Sequence, residues 1–215
     1  MLLATVAWIL WESPLLAVRT VQVDGTRTLT ATDVRNAAGL SAGTPLLKVD
    51  VAAVEAGVRR LPQVSSALAA RGWPDRVVVT VVERVPVAVV DRDGRSFLTD
   101  ASGALFEALT GDPPRGVVPL AVPHARPHDA ATAAGLAAIS ALPPSVRSRA
   151  ASVSATTGED VTLRLTDGTT VVWGSGDQSG AKAAALAGLL EQIGRNALQG
   201  AGTIDVSAPA AVVLR

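Results

Sequence analysis

The chain of 215 residues contains no cysteine. That excludes disulfides and thiolate metal sites but leaves the compartment open, since many exported bacterial proteins do without the residue. It has two histidines, His124 and His128. Their spacing could share a helix face and hold a metal, but Pro123 and Pro127 interrupt any helix there, so a surface loop is expected. There is no charge of one sign in excess: 19 basic and 19 acidic residues cancel, which excludes a nucleic-acid binder working by bulk charge. Lysine is nearly absent, with only Lys48 and Lys182. Together with the abundant Ala, Val and Gly, this is the imprint of a GC-rich coding sequence and carries no mechanism. Internal repeats and low-complexity tracts are missing.

Catalytic signatures are missing too. Gly-x-Ser-x-Gly does not occur. Gly174-Ser-Gly-Asp-Gln-Ser-Gly180 lacks the Gly-Lys-Ser/Thr that ends a phosphate-binding loop, and it reads as a flexible strand-to-helix connection. Asp91-Arg-Asp-Gly94 starts like a calcium loop, but the distal Glu is absent, leaving a hairpin turn. Acid–base chemistry would have to run on carboxylates alone. Glu83 and Glu107 are the candidates, each at the end of a strand. Glu83-Arg84 reads instead as a strand-terminal charge pair, of little value if exposed. An enzyme is not expected, and no catalytic, cofactor-binding or metal-ligating residue is assigned.

No uncharged run reaches the roughly 20 residues needed to span a bilayer. The first eleven, Met1 to Trp11, carry no charge, and Glu12, Ser13 and Pro14 end the run. As a helix it covers only about 16 Å. A signal peptide and a buried terminal helix are alternatives, but a basic n-region and a small-x-small cleavage site are lacking. Trp8 and Trp11 near the polar boundary suit an interfacial belt. Residues 1–16 are therefore read as a partial transmembrane segment whose beginning is missing from this chain.

The rest of the chain is patterned. Val18 to Gly25 reads as a strand ending in a turn. Thr30 to Leu40 reads as a helix, with Thr30 and Asp33 close to a capping box and Gly39 closing it. Asp50 caps a second helix with Val51, Val54, Val58 and Leu61 on one face. Pro62 ends it, and Val64 to Ala70 is a strand. Arg71-Gly-Trp-Pro-Asp-Arg76 is turn chemistry. Val77 to Val82, five valines and one threonine, is predicted to be a well-buried central strand. The order is β-α-α-β-β, with both helices on one face of a small sheet. After Pro86 the pattern changes to a hairpin turning at Asp93-Gly94, a turn at Thr99 to Gly103, and a strand at Ala104 to Glu107. An apolar stretch runs from Pro119 to Pro123, and an alanine-rich helix from Ala130 to Leu142. Strands at Val161 to Leu165 and Thr169 to Trp173 come next, then a helix at Ser179 to Ile193. Thr203 to Ser207 and Ala211 to Leu214 supply one last strand. The class is α+β: a membrane segment (1–16), a small β-α-α-β-β domain (17–85) and a mostly antiparallel β-domain with flanking helices (86–215).

These residues resemble the bacterial cell-division family FtsQ/DivIB, most closely its members from GC-rich Gram-positive bacteria. Ser13-Pro-Leu-Leu-Ala-Val-Arg-Thr-Val-Gln-Val-Asp-Gly25 is similar to that family's passage from membrane helix to first strand. Trp73-Pro-Asp75, Glu83-Arg84, Pro86 and Ala88 are similar to its strongest fingerprint. Phe97-Leu-Thr-Asp-Ala-Ser-Gly-Ala-Leu-Phe106 and Gly202-Thr-Ile-Asp-Val-Ser207 match further stretches. The resemblance runs over nearly the whole chain. It implies a polypeptide-transport-associated (POTRA) domain followed by the family's β-domain. It also implies a single-pass type II protein of the inner (plasma) membrane, mostly extracytoplasmic and placed at the division septum. Such a protein would be a scaffold binding FtsB- and FtsL-like proteins and, indirectly, FtsW and FtsI, with no cofactor. A POTRA module for protein export or outer-membrane assembly is the alternative. The family's FtsB contact lies at the C-terminal strand and nearby helix, and an unpaired strand edge is a template for strand addition. Thr203, Ile204, Asp205, Val206 and Ser207 are therefore the expected partner-binding residues, with Ile204 and Val206 on one side and Asp205 and Ser207 on the other. Pro209 limits the ladder.

Overall fold

Thr30 opens the first helix, α1 (Ala31–Ala38). Its hydroxyl accepts from the Asp33 N–H while the Asp33 carboxylate accepts from the Thr30 N–H, and Gly39, at φ 62°, closes the helix. Each bond satisfies a main-chain group that a helix end leaves orphaned. Asp50 caps the second helix, α2 (Val51–Val58), accepting from the Ala53 N–H. The computed structural model describes residues 16–195, 202–210 and 213–214. The apolar stretch Met1 to Trp11 lies outside them, and among the described residues no helix is long and apolar enough to cross a membrane.

The chain divides into two compact units at Arg84/Val85. In the first, strands β1 (Thr20–Asp24), β2 (Val64–Gly72) and β3 (Arg76–Glu83) form a sheet ordered β1-β3-β2. β3 is central, parallel to β1 and antiparallel to β2. The expected β-α-α-β-β order and the central valine strand are both present. The expectation of a well-buried strand holds for one face only. Val77, Val79 and Val81 are buried, but Thr80 is exposed and Val82 is 54% exposed. Strand side chains alternate between faces, and both helices cover the same face, where Val34, Val54 and Val58 join the valines in one cluster. Leu68, opposite Thr80, is likewise exposed.

At Gly57, α2 packs tightly against α1. A Cβ there would lie 2.3 Å from the Ala37 carbonyl oxygen. Gly-to-Ala inside a helix ordinarily adds about 1 kcal/mol of stability. Here Gly57→Ala is expected to remove about 1–3 kcal/mol instead, because the helices must part. Urea titration of the variant checks the sign.

Among its described residues the second unit is built on one nine-stranded sheet. Its strands are β4 (Ala88–Arg92), β5 (Arg95–Thr99), β6 (Leu105–Ala108), β7 (Val118–Ala121), β8 (Ala150–Ser154), β9 (Val161–Leu165), β10 (Thr170–Gly174), β11 (Thr203–Asp205) and β12 (Val213–Leu214). The spatial order is β12-β11-β10-β9-β8-β7-β4-β5-β6. The expected hairpin is β4–β5, with Asp93 and Gly94 both at positive φ (52° and 73°), as a two-residue turn between twisted strands requires. The Asp100 carboxylate accepts from the Ser102 N–H and hydroxyl and from the Ala104 N–H, turning the chain into β6. Phe106 then packs with Val89 and Leu98 in a small cluster of their own.

Helix α3 (Ala130–Ala141) lies over β7, β8 and β9 and against α5 (Ser179–Gly194). Asp129 caps α3. Hydrogen bonds from the Thr132 N–H and hydroxyl hold its carboxyl below the usual range. Leu136, Ile139, Leu186 and Leu190 from these helices close the main core over Leu120, Val153, Leu163, Val171 and the fully buried Trp173. As expected, β9 alternates: Val161, Leu163 and Leu165 face in, and Arg164 faces out.

A one-turn helix and a strand are among the elements the sequence did not foresee. Pro143-Pro144 ends α3, but Pro144 also starts a one-turn helix, α4 (Pro144–Arg147). A proline suits a first helical position, where its missing N–H costs nothing. Strand β8, Ala-Ala-Ser-Val-Ser, has a single β-branched residue and so little strand propensity. It forms because β7 and β9 flank it on both sides.

Candidate partner interface at the C-terminal edge

Residues 203–207 do not form the sheet edge that the sequence suggested. β11 runs parallel to β10, pairing Thr170 with Thr203, Val171 with Ile204 and Val172 with Asp205. On its other side β12 pairs antiparallel, Ile204 with Leu214 and Asp205 with Val213. The single expected last strand is two strands. The chain reverses because Asp205 draws it round: its carboxylate accepts from the Ser207 N–H at 3.0 Å and the Ser207 hydroxyl at 2.7 Å. Pro209 comes next, where a ladder could not continue. Such Asx turns end strands by offering the backbone a local partner.

The side-chain alternation is as expected. Ile204 and Val206 are fully buried, Thr203 and Asp205 half-buried, and Ser207 exposed. Ile204 and Val206 thus belong to the core with Trp173 and Leu186. On this side of the sheet the outermost described strand is β12. Its Val213 and Leu214 are 42% and 36% exposed, apolar side chains on a sheet margin. The signal for this was present in the sequence: Ser207-Ala-Pro-Ala210 is turn chemistry between two apolar runs.

Behind the edge, the Gly174–Gly180 connection is pinned rather than loose. The Trp173 indole N–H donates to the Ser179 hydroxyl, which donates to the Gly176 carbonyl. The ammonium of Lys182, 2% exposed, donates to the Ser175 carbonyl at 2.9 Å. A buried cation needs such an acceptor, and this one fixes where α5 starts relative to β10.

The remaining chemical candidates have structural settings. The two carboxylates considered for acid–base work are separated in role. Glu107 sits exposed on β6. Glu83 does more than end a strand beside Arg84. Its oxygens accept from the N–H groups of Arg27, Thr28 and Leu29 and from the Thr28 hydroxyl at 2.6–3.1 Å. The Arg84 Nε donates to the Pro62 carbonyl. Burial pushes the Glu83 carboxyl up, but these hydrogen bonds outweigh it and hold the pKa at about 2. A carboxylate so deeply committed is a staple for the loop before α1. His124 shares an open cleft of about 420 Å³ with Asp91 and Asp93, while His128 lines a different one. Among the described residues no three His, Asp or Glu side chains are grouped to hold a metal.

Comparison with known proteins takes the cell-division reading over the export alternative. The family model for the FtsQ-type POTRA domain matches residues 16–84, and that for the C-terminal part of cell division protein FtsQ/DivIB matches residues 88–207. The cell division protein FtsQ of Mycobacterium leprae is 40% identical over 200 residues, 93% of this chain and 56% of that protein. That of Mycolicibacterium smegmatis is 37% identical over 201 residues, 94% of this chain and 58% of the relative. That of Streptomyces bingchenggensis is 39% identical over 215 residues, 96% of this chain and 78% of the relative. The chain thus spans a little over half the length of the mycobacterial relatives. With both halves matched in order and this identity held almost end to end, the chain belongs to the FtsQ/DivIB family of cell-division proteins.

Proposed function

We propose that this protein is a non-enzymatic scaffold of the division machinery. Residues 1–16 contribute to a single-pass anchor in the plasma membrane, residues 17–85 are the POTRA domain, and residues 86–215 form the partner-binding β-domain outside the membrane. Its partners are FtsB- and FtsL-like proteins at the septum, through which it meets the FtsW/FtsI-type synthase. The observation that carries the docking site is the apolar, exposed margin at Val213 and Leu214, backed by β11, whose Ile204 is buried. Sheet margins accept a further strand from a partner by main-chain pairing, and apolar side chains on them add affinity. Thr203 to Ser207 keep a part in this reading as the strand that holds β12 in place, with Thr203, Asp205 and Ser207 supplying its accessible polar atoms.

The test is co-purification with the FtsB-like protein. Val213→Asp and Leu214→Asp place charge on the contact without touching the core. Each is expected to weaken capture at least tenfold, about 1.4 kcal/mol, while the thermal melt stays put. Undiminished capture by both variants removes the docking site from β12 and leaves the family assignment standing.

A further inference from the structure

The Trp73-Pro74-Asp75 turn is an accessible apolar tip at one particular end of the first unit. Trp73 is 54% exposed. β1 runs parallel to β3, with Thr20 opposite Arg76. The turn between β2 and β3 therefore lies at the end where β1 begins. Hydrogen bonds fix this directly: the Arg19 and Thr20 N–H groups both donate to the Asp75 carbonyl, at 2.8 and 3.3 Å. Just before, Ala17 bridges to Pro45, and the Val18 N–H donates to the Thr44 carbonyl. From Ala17 onward the chain is bound to this end of the sheet.

Upstream, the uncharged run ends at Trp11. From Trp11 to Ala17 even a fully extended chain covers at most about 22 Å. A bilayer holding the run therefore keeps this end of the unit close to its surface, with Trp73 two strands over but on the same end.

The residues round the tip suit a headgroup layer. Arg19, Lys48 and Arg76 are exposed. The Pro45–Ala17 bridge brings the turn at Leu46–Lys48 to this end as well. Arg71 is committed elsewhere, donating to the Leu46 and Val49 carbonyls. The opposing acids are the half-buried Asp75 and the exposed Asp50, which caps α2. Tryptophan favours the water–hydrocarbon boundary because its ring is apolar with one polar edge. Basic residues beside it are drawn to anionic lipid. At the opposite end of β3, the exposed apolar side chain is Val82, with no aromatic ring.

We propose that the Trp73 turn is a second membrane contact, seated in the lipid headgroup layer and flanked by Arg19, Lys48 and Arg76, which fixes the tilt of the first unit on the bilayer. This rests on the reading of the N-terminal segment as an anchor. The test uses the full chain carrying Trp8→Phe and Trp11→Phe, in vesicles of phosphatidylcholine and phosphatidylglycerol with shallow brominated lipid. The emitters are then Trp73 and the fully buried Trp173. Flotation reports the anchor, and quenching reports the turn. The expected result is flotation with partial quenching and a blue shift, both abolished by adding Trp73→Phe and weakened by Arg19→Gln/Arg76→Gln. Flotation with no quenching beyond that of the Trp73→Phe chain overturns the proposal and leaves the anchor intact. Failure to float overturns the anchor reading and the proposal with it.

Discussion

Ile204→Ala is expected to remove about 2–5 kcal/mol from the stability of the second unit, the cost of deleting a buried branched side chain and leaving a cavity. Ile204 is wholly inaccessible and belongs to the cluster that includes Trp173, Leu163 and Leu186. It is held between β10 and β12, where neither neighbour can close over a void without breaking its ladder. Val213→Asp, on the neighbouring strand of the same sheet, is a surface change expected to stay within about 0.5 kcal/mol. The two substitutions therefore separate the meanings of a C-terminal strand mutation. Ile204→Ala should lower partner capture only as far as it unfolds the unit, and cooling or osmolyte should restore it. Val213→Asp should lower capture with the fold intact. Hydrogen exchange read peptide by peptide checks the assignment: Ile204→Ala should raise exchange across β9, β10 and β11 together. An Ile204→Ala protein as protected as the parent would contradict the inner position of β11.

Glu83→Ala is expected to cost the first unit at least about 1.5–3 kcal/mol, the value of one hydrogen bond to a charged group, since several donors lose their acceptor together. For a unit this small each kcal/mol lowers the melting temperature by about 4–8 °C. Glu83→Gln should fall between, because a neutral amide offers one acceptor oxygen to donors that now have two. The pH dependence has a definite sign. The folded pKa, about 2, lies below the ordinary 4.5. The carboxylate thus contributes its full stabilisation above about 4.5 and loses it as pH falls toward 2. The gap in melting temperature between parent and Glu83→Gln should be constant near neutrality, shrink below pH 4.5 and close near pH 2. A gap unchanged across that window would show that the staple acts through shape and not through charge.

Both predictions concern residues whose types the sequence displayed and whose roles it concealed. Glu83 and Arg84 are adjacent, and adjacency suggested a pair. The structure sends Glu83 to Arg27, Thr28 and Leu29, more than fifty residues away in the chain. Nothing local records that, because the contact exists only once β1 and β3 lie side by side. The C-terminal strand shows the same thing. The alternation of Ile204 and Val206 was legible, since strand side chains have period two whatever their neighbours. Whether the strand was first or second from the margin was not, since that depends on a chain reversal and the short partner strand beyond it.

What the sequence by itself determined here is local. Thr30 with Asp33, and Gly39, set the ends of α1. Asp93-Gly94 set a hairpin, and the spacing of Val51, Val54 and Val58 set a helix face. Each works within a few residues and needs no distant partner. The order of these elements, with the Trp73, Glu83 and Pro86 fingerprint, was also enough to carry the family. Tertiary structure alone decided the rest. It made a strand of Ala150–Ser154 by placing it between two others. It left one face of the valine strand to solvent by putting both helices on the other. It buried Ile204, made β12 the outermost described strand on that side of the sheet, and brought the Trp73 turn beside the residues where the chain first joins the fold. The reason is the same in each case: burial and sheet order arise from pairings between segments far apart in the chain, and no local pattern specifies which segments those are.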